Sequence, residues 1–234
     1  MKAFHLLTAI LFTTVSLYSQ NPLIGSWQYQ HGDVTTVRIY TDGFFSVAVY
    51  KNQEFASTYG GKYKLANSDL TETIEFDTQS PDRVGKEIQQ KLNWKNGEFS
   101  LNDQIASHKR LDDGSPGKLA GAWLITGRFT NGEMKKNTPG ARRTMKILSG
   151  TRFQWIAYNV ETKEFFGTGG GTYTTDNGKY TEHIEFFSRD NTRVGASLGF
   201  DFLIMDDGGW RHRGKSSKGD PIDEVWTQRE KLGI

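Results

Sequence analysis

The chain has 234 residues, 29 Lys and Arg against 27 Asp and Glu, 13% aromatic residues and no cysteine. The missing cysteine excludes disulfides, thiol catalysis and thiolate zinc sites, and the near-balanced charge argues against a nucleic-acid partner. Twenty-six glycines, five prolines and many aromatics favour β-structure with tight turns.

The N-terminus predicts a secretory signal peptide over residues 1–19. One basic residue, Lys2, precedes an apolar run from Leu6 to Val15 and then Ser16-Leu-Tyr-Ser-Gln20. The run is shorter than the roughly 20 residues that a bilayer span needs. Gln20 or Asn21 would start the mature chain. With no cysteine to carry a lipid at the cleavage site, the expectation is a soluble exported protein, periplasmic or secreted, of bacterial type. No other segment is apolar enough to cross a membrane.

The rest of the chain is an internal repeat. Glu54–Gly85 aligns with Glu164–Gly195 at a constant offset of 110, and 15 of 32 positions are identical. Among them are Gly60/Gly170, Gly61/Gly171, Tyr63/Tyr173, Glu72/Glu182, Ile74/Ile184 and Arg83/Arg193. Upstream, Leu23-Ile-Gly-Ser-Trp27 matches Leu119-Ala-Gly-Ala-Trp123. A repeat near 100 residues is a duplicated domain, not a solenoid unit. The boundary falls in the linker-like Leu111-Asp-Asp-Gly-Ser-Pro-Gly-Lys118, giving domains 20–113 and 114–234. The first is mildly acidic, with 10 Lys/Arg against 13 Asp/Glu, and the second mildly basic, with 18 against 14.

Taken in order, the first half predicts strands at Ser26–Gln30, Thr35–Thr41, Phe44–Lys51, Phe55–Leu65, Leu70–Asp77, Val84–Trp94, Glu98–Asn102 and Ala106–Leu111. The second predicts Ala122–Gly127, Arg143–Ser149, Arg152–Val160, Phe165–Thr175, Tyr180–Phe187, Val194–Met205, Trp210–Lys215 and Ile222–Arg229. No stretch has a sustained helical period, and Glu230–Ile234 is expected to fray. Eight strands joined by tight loops predict an all-β fold of two tandem up-and-down antiparallel β-barrels, an arrangement that leaves no open sheet edge.

The motifs Gly25-Ser-Trp27 and Gly121-Ala-Trp123, Gly-Gly-x-Tyr, Thr-Glu-x-Ile and Glu224-Val-Trp-Thr-Gln-Arg229 resemble those of secreted bacterial lipocalin-like domains of unknown function. The resemblance covers both halves. It implies that Arg110 and Arg229, late in the last strands, pack across the first-strand tryptophans and close the barrel floors. Ala106-Ser-His-Lys-Arg110 lacks the Glu-x-Trp element, which leaves closure of the first barrel open.

Strands alternate faces, and the apolar set is taken to mark the interior. Tyr180, Glu182, Ile184 and Phe186 then point inward, as do Val194, Ala196, Leu198, Phe200 and Phe202, Phe165 and Tyr173, and Phe153 and Trp155. A turn at Asp176-Asn-Gly-Lys179 sets Tyr173 opposite Glu182, and the same register sets Tyr63 opposite Glu72. A carboxylate on an apolar face must be hydrogen-bonded or neutralised. It is read first as a structural glutamate bonded to that tyrosine or to an arginine, and second as a polar anchor for a ligand.

Two insertions, Gly127–Ala141 and Arg211–Pro221, distinguish the second half and are expected to rim one mouth of its barrel. They bring Arg128, Lys135, Lys136, Arg142 and Arg143, then Arg211, Arg213, Lys215 and Lys218, a charge that is either solvated surface or an attraction for anions. His183 and Glu185 are too few for a metal site, Gly167-Thr-Gly-Gly-Gly171 lacks the residues of a phosphate loop, and Trp27, Trp123 and Trp226 read as floor packing. The expected function is non-enzymatic: the second barrel binds a small, partly apolar, anionic molecule through Trp155, Tyr173, Tyr180, Glu182, Phe200, Trp210, Arg211 and His212. No catalytic residue, metal or cofactor is expected. The alternative is a structural or interaction module of the cell envelope, with filled barrels; an enzyme using Glu182 would need a second titratable group beside it.

Overall fold

A computed structural model describes residues 21–102 and 104–234; the expected signal peptide lies outside the described residues. The described residues form seventeen strands and one short helix. The first half contains β1 (Gly25–His31), β2 (Val34–Tyr40), β3 (Phe44–Lys51), β4 (Glu54–Ala66), β5 (Asp69–Asp77), β6 (Glu87–Lys95), β7 (Glu98–Leu101) and β8 (Lys109–Asp112). The second contains β9 (Gly121–Thr130), β10 (Glu133–Lys136), β11 (Arg142–Leu148), β12 (Arg152–Asn159), β13 (Phe165–Asp176), β14 (Lys179–Phe187), β15 (Ser197–Ile204), β16 (Trp210–Lys215) and β17 (Pro221–Gln228), followed by α1 (Arg229–Leu232).

Each half is an antiparallel meander. The second closes fully, because β17 pairs with β9, and β10 is added as a hairpin on the other side of β9. The first is nearly closed: β8 pairs with β1, and a single bridge, Phe99 to His108, spans the gap from β7. Two tandem barrels are therefore present. Both floors are built alike, with the indole N–H of Trp27 donating to the Leu23 carbonyl and that of Trp123 to the Leu119 carbonyl, each at 2.9 Å.

Several expectations need correction. The strands expected from Val84 and Val194 begin three residues later. Short 3₁₀ turns at Pro81–Arg83 and Asn191–Arg193 lead into Gly85 and Gly195, whose φ values of +88° and +83° interrupt the extended chain. Val194 and Ala196 thus precede the inner strand face. The Gly127–Ala141 insertion holds strand β10, while β16 runs to Lys215 as expected and leaves residues 216–220 as the loop of the other insertion. The C-terminal tail does not fray but forms α1, and Leu232 and Ile234 pack on a buried cluster.

That cluster is the seam between the barrels. It joins Val37, Ile39, Phe44, Tyr50 and Phe76 of the first to Leu124, Met145, Ile147, Ile156, Tyr158 and Phe186 of the second. β2 and β11 are therefore buried on both faces, so the apolar set does not mark the interior there. Bulges complete the reversal. The register shifts between Gly60 and Gly61 and between Gly170 and Gly171, which flips strand parity. Ile184 stays inside the barrel, but Phe186 turns out to the seam, with Phe187 taking the inward place. Phe165 is also at the seam, stacked on Phe55 at 6.0 Å.

The seam is locally two-fold, as in an isologous dimer. Tyr158 donates to Glu75 at 2.7 Å, and its counterpart Tyr50 donates to Glu185 at 3.0 Å. Phe76 lies on Tyr158 at 4.9 Å and Phe186 on Tyr50 at 5.2 Å. Arg229 breaks the symmetry. It is fully buried, holds Glu75 at 2.7 and 2.9 Å and lies over the Phe44 ring at 4.2 Å. It is an inter-barrel clamp, not a barrel-floor arginine. The residue that pairs with Trp123 is Gln228. In the first barrel Arg110 does cover Trp27, at 4.0 Å. The linker is tied by Asp112, whose carboxylate accepts from Ser26, Ser149, Thr151 and the backbone N–H groups of Gly114, Gly150 and Thr151.

Candidate functional site

The mouth of the second barrel holds a cleft of about 440 Å³. Its apolar wall comes from Trp155, Ile184, Phe187, Leu198, Phe200 and Trp226, and its polar floor from Lys146, Glu182, His212 and Glu224. Alternation places these groups. Lys146 lies between Met145 and Ile147 on β11; because those two face the seam, the lysine must face inward. Glu182 follows from the unbulged part of β14, and His212 and Glu224 are cross-strand partners on β16 and β17.

The floor is a chain of charges. Lys146 Nζ donates to Glu182 Oε1 at 2.6 Å, with both side chains almost wholly buried. The same ammonium sits 5.0–5.4 Å from the ring centres of Tyr180, Phe200, Trp210 and Trp226, which replaces part of its hydration by cation–π attraction. It also lies 3.5 Å from His212 Nε2. An ammonium can only donate, so Nε2 is the accepting nitrogen and the imidazole proton sits on Nδ1. Burial, with Lys146 beside it, pushes the His212 pKa down to about 4, so the ring is neutral at pH 7. Burial alone would raise Glu224; the charges of Lys146 and of Arg128, whose guanidinium is 3.1 Å away, act against that rise.

Three N–H donors near this floor have no acceptor among the described residues: His212 Nδ1, Trp226 Nε1 and Trp210 Nε1. Glu224 Oε2 is 3.8 Å from His212 Nδ1, beyond hydrogen-bonding range. Buried donors are nearly always satisfied, so this group is unusual in having three together.

Of the expected site residues, Trp155, Glu182, Phe200 and His212 line the cleft, while Tyr173, Tyr180 and Trp210 lie in the aromatic cluster packed beneath it. Arg211 does not join them. One position from His212, it points outward, pairs with Asp223 at 2.7–2.8 Å and covers Phe129. Tyr173 stands opposite Glu182 in register but is not its partner. Its hydroxyl donates to the Ser149 carbonyl at 2.6 Å, and Tyr180 bonds Glu182 instead, at 2.9 Å. In the first barrel, likewise, Tyr63 donates to the Thr41 carbonyl, and Glu72 is held by Tyr40 and Gln90, with Arg38 at 3.7 Å. Trp226 is a cleft wall, not floor packing.

Sequence reasoning missed Lys146. A signal existed: it aligns with Arg38, each standing opposite the first-strand tryptophan. Glu185 is a seam residue bonded by Tyr50 and Arg152, and His183 contacts Ser197. Among the described residues no cluster of three metal-ligating side chains occurs, and no helix is long and apolar enough to cross a membrane. Compared with protein-family models and with curated proteins, the chain matches none.

Proposed function

We propose that this is an exported, non-enzymatic binding protein whose second barrel holds a small, partly apolar, anionic molecule. The observation that carries the reading is the cleft itself, in the size range of ligand sites. It is walled by aromatic and aliphatic side chains, and two of its residues, His212 and Trp226, have N–H donors without acceptors among the described residues. A ligand with an apolar body would cover Trp155, Leu198 and Phe200. The anionic part belongs at the rim, where Arg128 and Arg189 line the opening. Glu182 serves the site indirectly. With Lys146 and Tyr180 both bonded to it, it is a paired structural anion that fixes the floor, not a free acid or base. The first barrel is read as support, because Trp27, Tyr40, Phe45, Tyr63, Leu92 and Phe99 form one buried cluster inside it. Export is supported by the N-terminal apolar segment.

The test is native mass spectrometry of protein taken from its own host, followed by tryptophan-fluorescence titration with single-chain amphiphiles. Trp226 and Trp155 should report occupancy directly. A protein that arrives empty and shows no fluorescence response to any amphiphile would overturn the reading.

A further inference from the structure

A second cleft, of about 630 Å³, opens beside the first. It lies between the β9–β10 hairpin and the chain entering β11, and five cations line it: Arg128, Lys135, Lys136, Arg142 and Arg143. No carboxylate is among its lining residues. Two of the five are committed elsewhere, Arg128 to Glu224 and Arg143 to Glu75, each at 3.1 Å. Lys135, Lys136 and Arg142 make no ion pair among the described residues, and Arg142 is only braced over the Phe166 ring at 4.6 Å.

The hairpin register adds a second observation. Lys135 pairs directly with Arg128 across β9 and β10. Like charges in direct cross-strand positions destabilise a sheet, so the fold holds a repulsive pair at the lip of this cleft. An anion seated there removes the repulsion.

The two clefts share Ile125, Arg128 and Thr144 in their walls. Their electrostatics differ. In the barrel floor each cation faces a carboxylate, Lys146 with Glu182 and Arg128 with Glu224, so an added anion there gains little and approaches two negative groups. The neighbouring cleft has three uncommitted cations, more than one carboxylate could neutralise.

We propose that the second cleft receives a phosphate or sulfate ester, the head group of the amphiphile whose apolar body lies in the barrel mouth. A tetrahedral oxyanion ester offers several acceptor oxygens to converging cations, and Arg128, in both walls, sits at the junction of head and body. The inference rests on the binding reading above, and the experiment separates the two.

Octyl phosphate, octanoate, 1-octanol and inorganic phosphate are titrated by calorimetry into the full-length mature protein and into a Lys135→Glu/Lys136→Glu variant. Both positions are exposed, and thermal melting checks that the variant is folded. Octyl phosphate is expected to bind wild type about tenfold or more tighter than 1-octanol, the sum of several weak exposed pairings, and tighter than octanoate. In the variant the phosphate-to-alcohol ratio should fall to near one. The preference should also weaken as salt rises. Equal affinity of wild type for phosphate and alcohol, or an unchanged ratio in the variant, overturns the head-group assignment while leaving the apolar site standing. Inorganic phosphate binding as tightly as octyl phosphate also overturns it, since the cleft would then take free anion independently of the barrel. Failure of every octyl compound to bind overturns the binding reading as well.

Discussion

Glu75 and Glu185 occupy the same position of the repeat and both accept from a tyrosine of the other barrel, yet they should differ sharply in energetic weight. Glu75 is buried and receives Arg229 at two points, Arg143 at 3.1 Å and Tyr158 at 2.7 Å. Arg229 is fully buried, so the nearly isosteric Glu75→Gln leaves a guanidinium charge in the seam without a counter-charge. Breaking a buried pair from one side costs about 3–5 kcal/mol. At roughly 2–4 °C per kcal/mol for a chain of this size, the melting temperature should fall by about 6–20 °C. Glu185 has a side chain about one-third exposed, 32%, and its cation is Arg152. Water can solvate what remains there, so Glu185→Gln should cost about 1 kcal/mol. Urea unfolding followed by tryptophan fluorescence gives both values. The double variant Glu75→Met/Arg229→Met removes both charges and should be less destabilised than Glu75→Gln. Equal losses for the two glutamines, or a Glu75→Gln loss below about 1 kcal/mol, would refute the argument that burial of Arg229 sets the cost.

Stability should decline from near-neutral pH downward, not only in strong acid. Burial holds His212 at about 4, and burial with Arg38 nearby holds His108 at about 3; the unfolded chain takes these protons near 6.5. Both folded values are depressed, so the unfolded state binds more protons below pH 6.5, and the contribution is complete above that value and lost as pH falls toward 4 and then 3. His108→Gln, which can still accept from Arg38, should remove about 1.4 kcal/mol per pH unit from the slope between pH 4 and 6; a stability constant from pH 7 to 5 in the wild type would contradict this. The bulge glycines give a steric contrast. A Cβ at Gly61 or Gly171 would lie 2.1 or 2.0 Å from the carbonyl oxygen of Thr73 or His183, whereas at Gly85 and Gly195 it meets nothing within 4 Å. Alanine at the first two should cost more than about 3 kcal/mol or prevent folding, and at the last two only about 1–2 kcal/mol for the positive φ. Similar melting temperatures for all four variants would sink that distinction.

The repeat, the barrel architecture and the register of Tyr63 with Glu72 and Tyr173 with Glu182 were legible, because tight turns transmit pairing directly into sequence spacing. What failed was the rule that apolar residues face the barrel. On β2 and β11 the apolar residues Val37, Ile39, Met145 and Ile147 face the other barrel, and the charged Arg38 and Lys146 face inward. A single chain does not announce that an outer face is covered by a second domain. Phe186 was misread for a different reason: a strict period of two ignores the bulge at Gly170-Gly171. The adjacent glycines were the available signal, since glycine inside a strand marks such bends. Arg229 looked like a floor residue because it ends the last strand. Only the three-dimensional position of Glu75 reveals it as the clamp.

The same polar centre occurs in both barrels, and its surroundings decide what each can do. Arg38 with Glu72 corresponds to Lys146 with Glu182. In the first barrel Gln90 donates to Glu72 at 2.8 Å and His108 accepts from Arg38 at 3.1 Å, so amide and imidazole complete the polar centre from within. In the second, register puts Phe200 where Gln90 stands, His212 where Leu101 stands and Trp226 where His108 stands. Two of these exchanges trade a side chain that bonds the centre for a ring that does not accept a hydrogen bond. The third places an imidazole, His212, beside the ion pair; its Nδ1 has no partner among the described residues, and neither does His108 Nδ1 in the first barrel. The ion pair is kept, but aromatic rings stand around its ammonium where the first barrel supplies an amide and an imidazole. Duplication makes that change tolerable, because the two-fold seam anchors the second barrel to the first and its cost is borne by a fold twice the size.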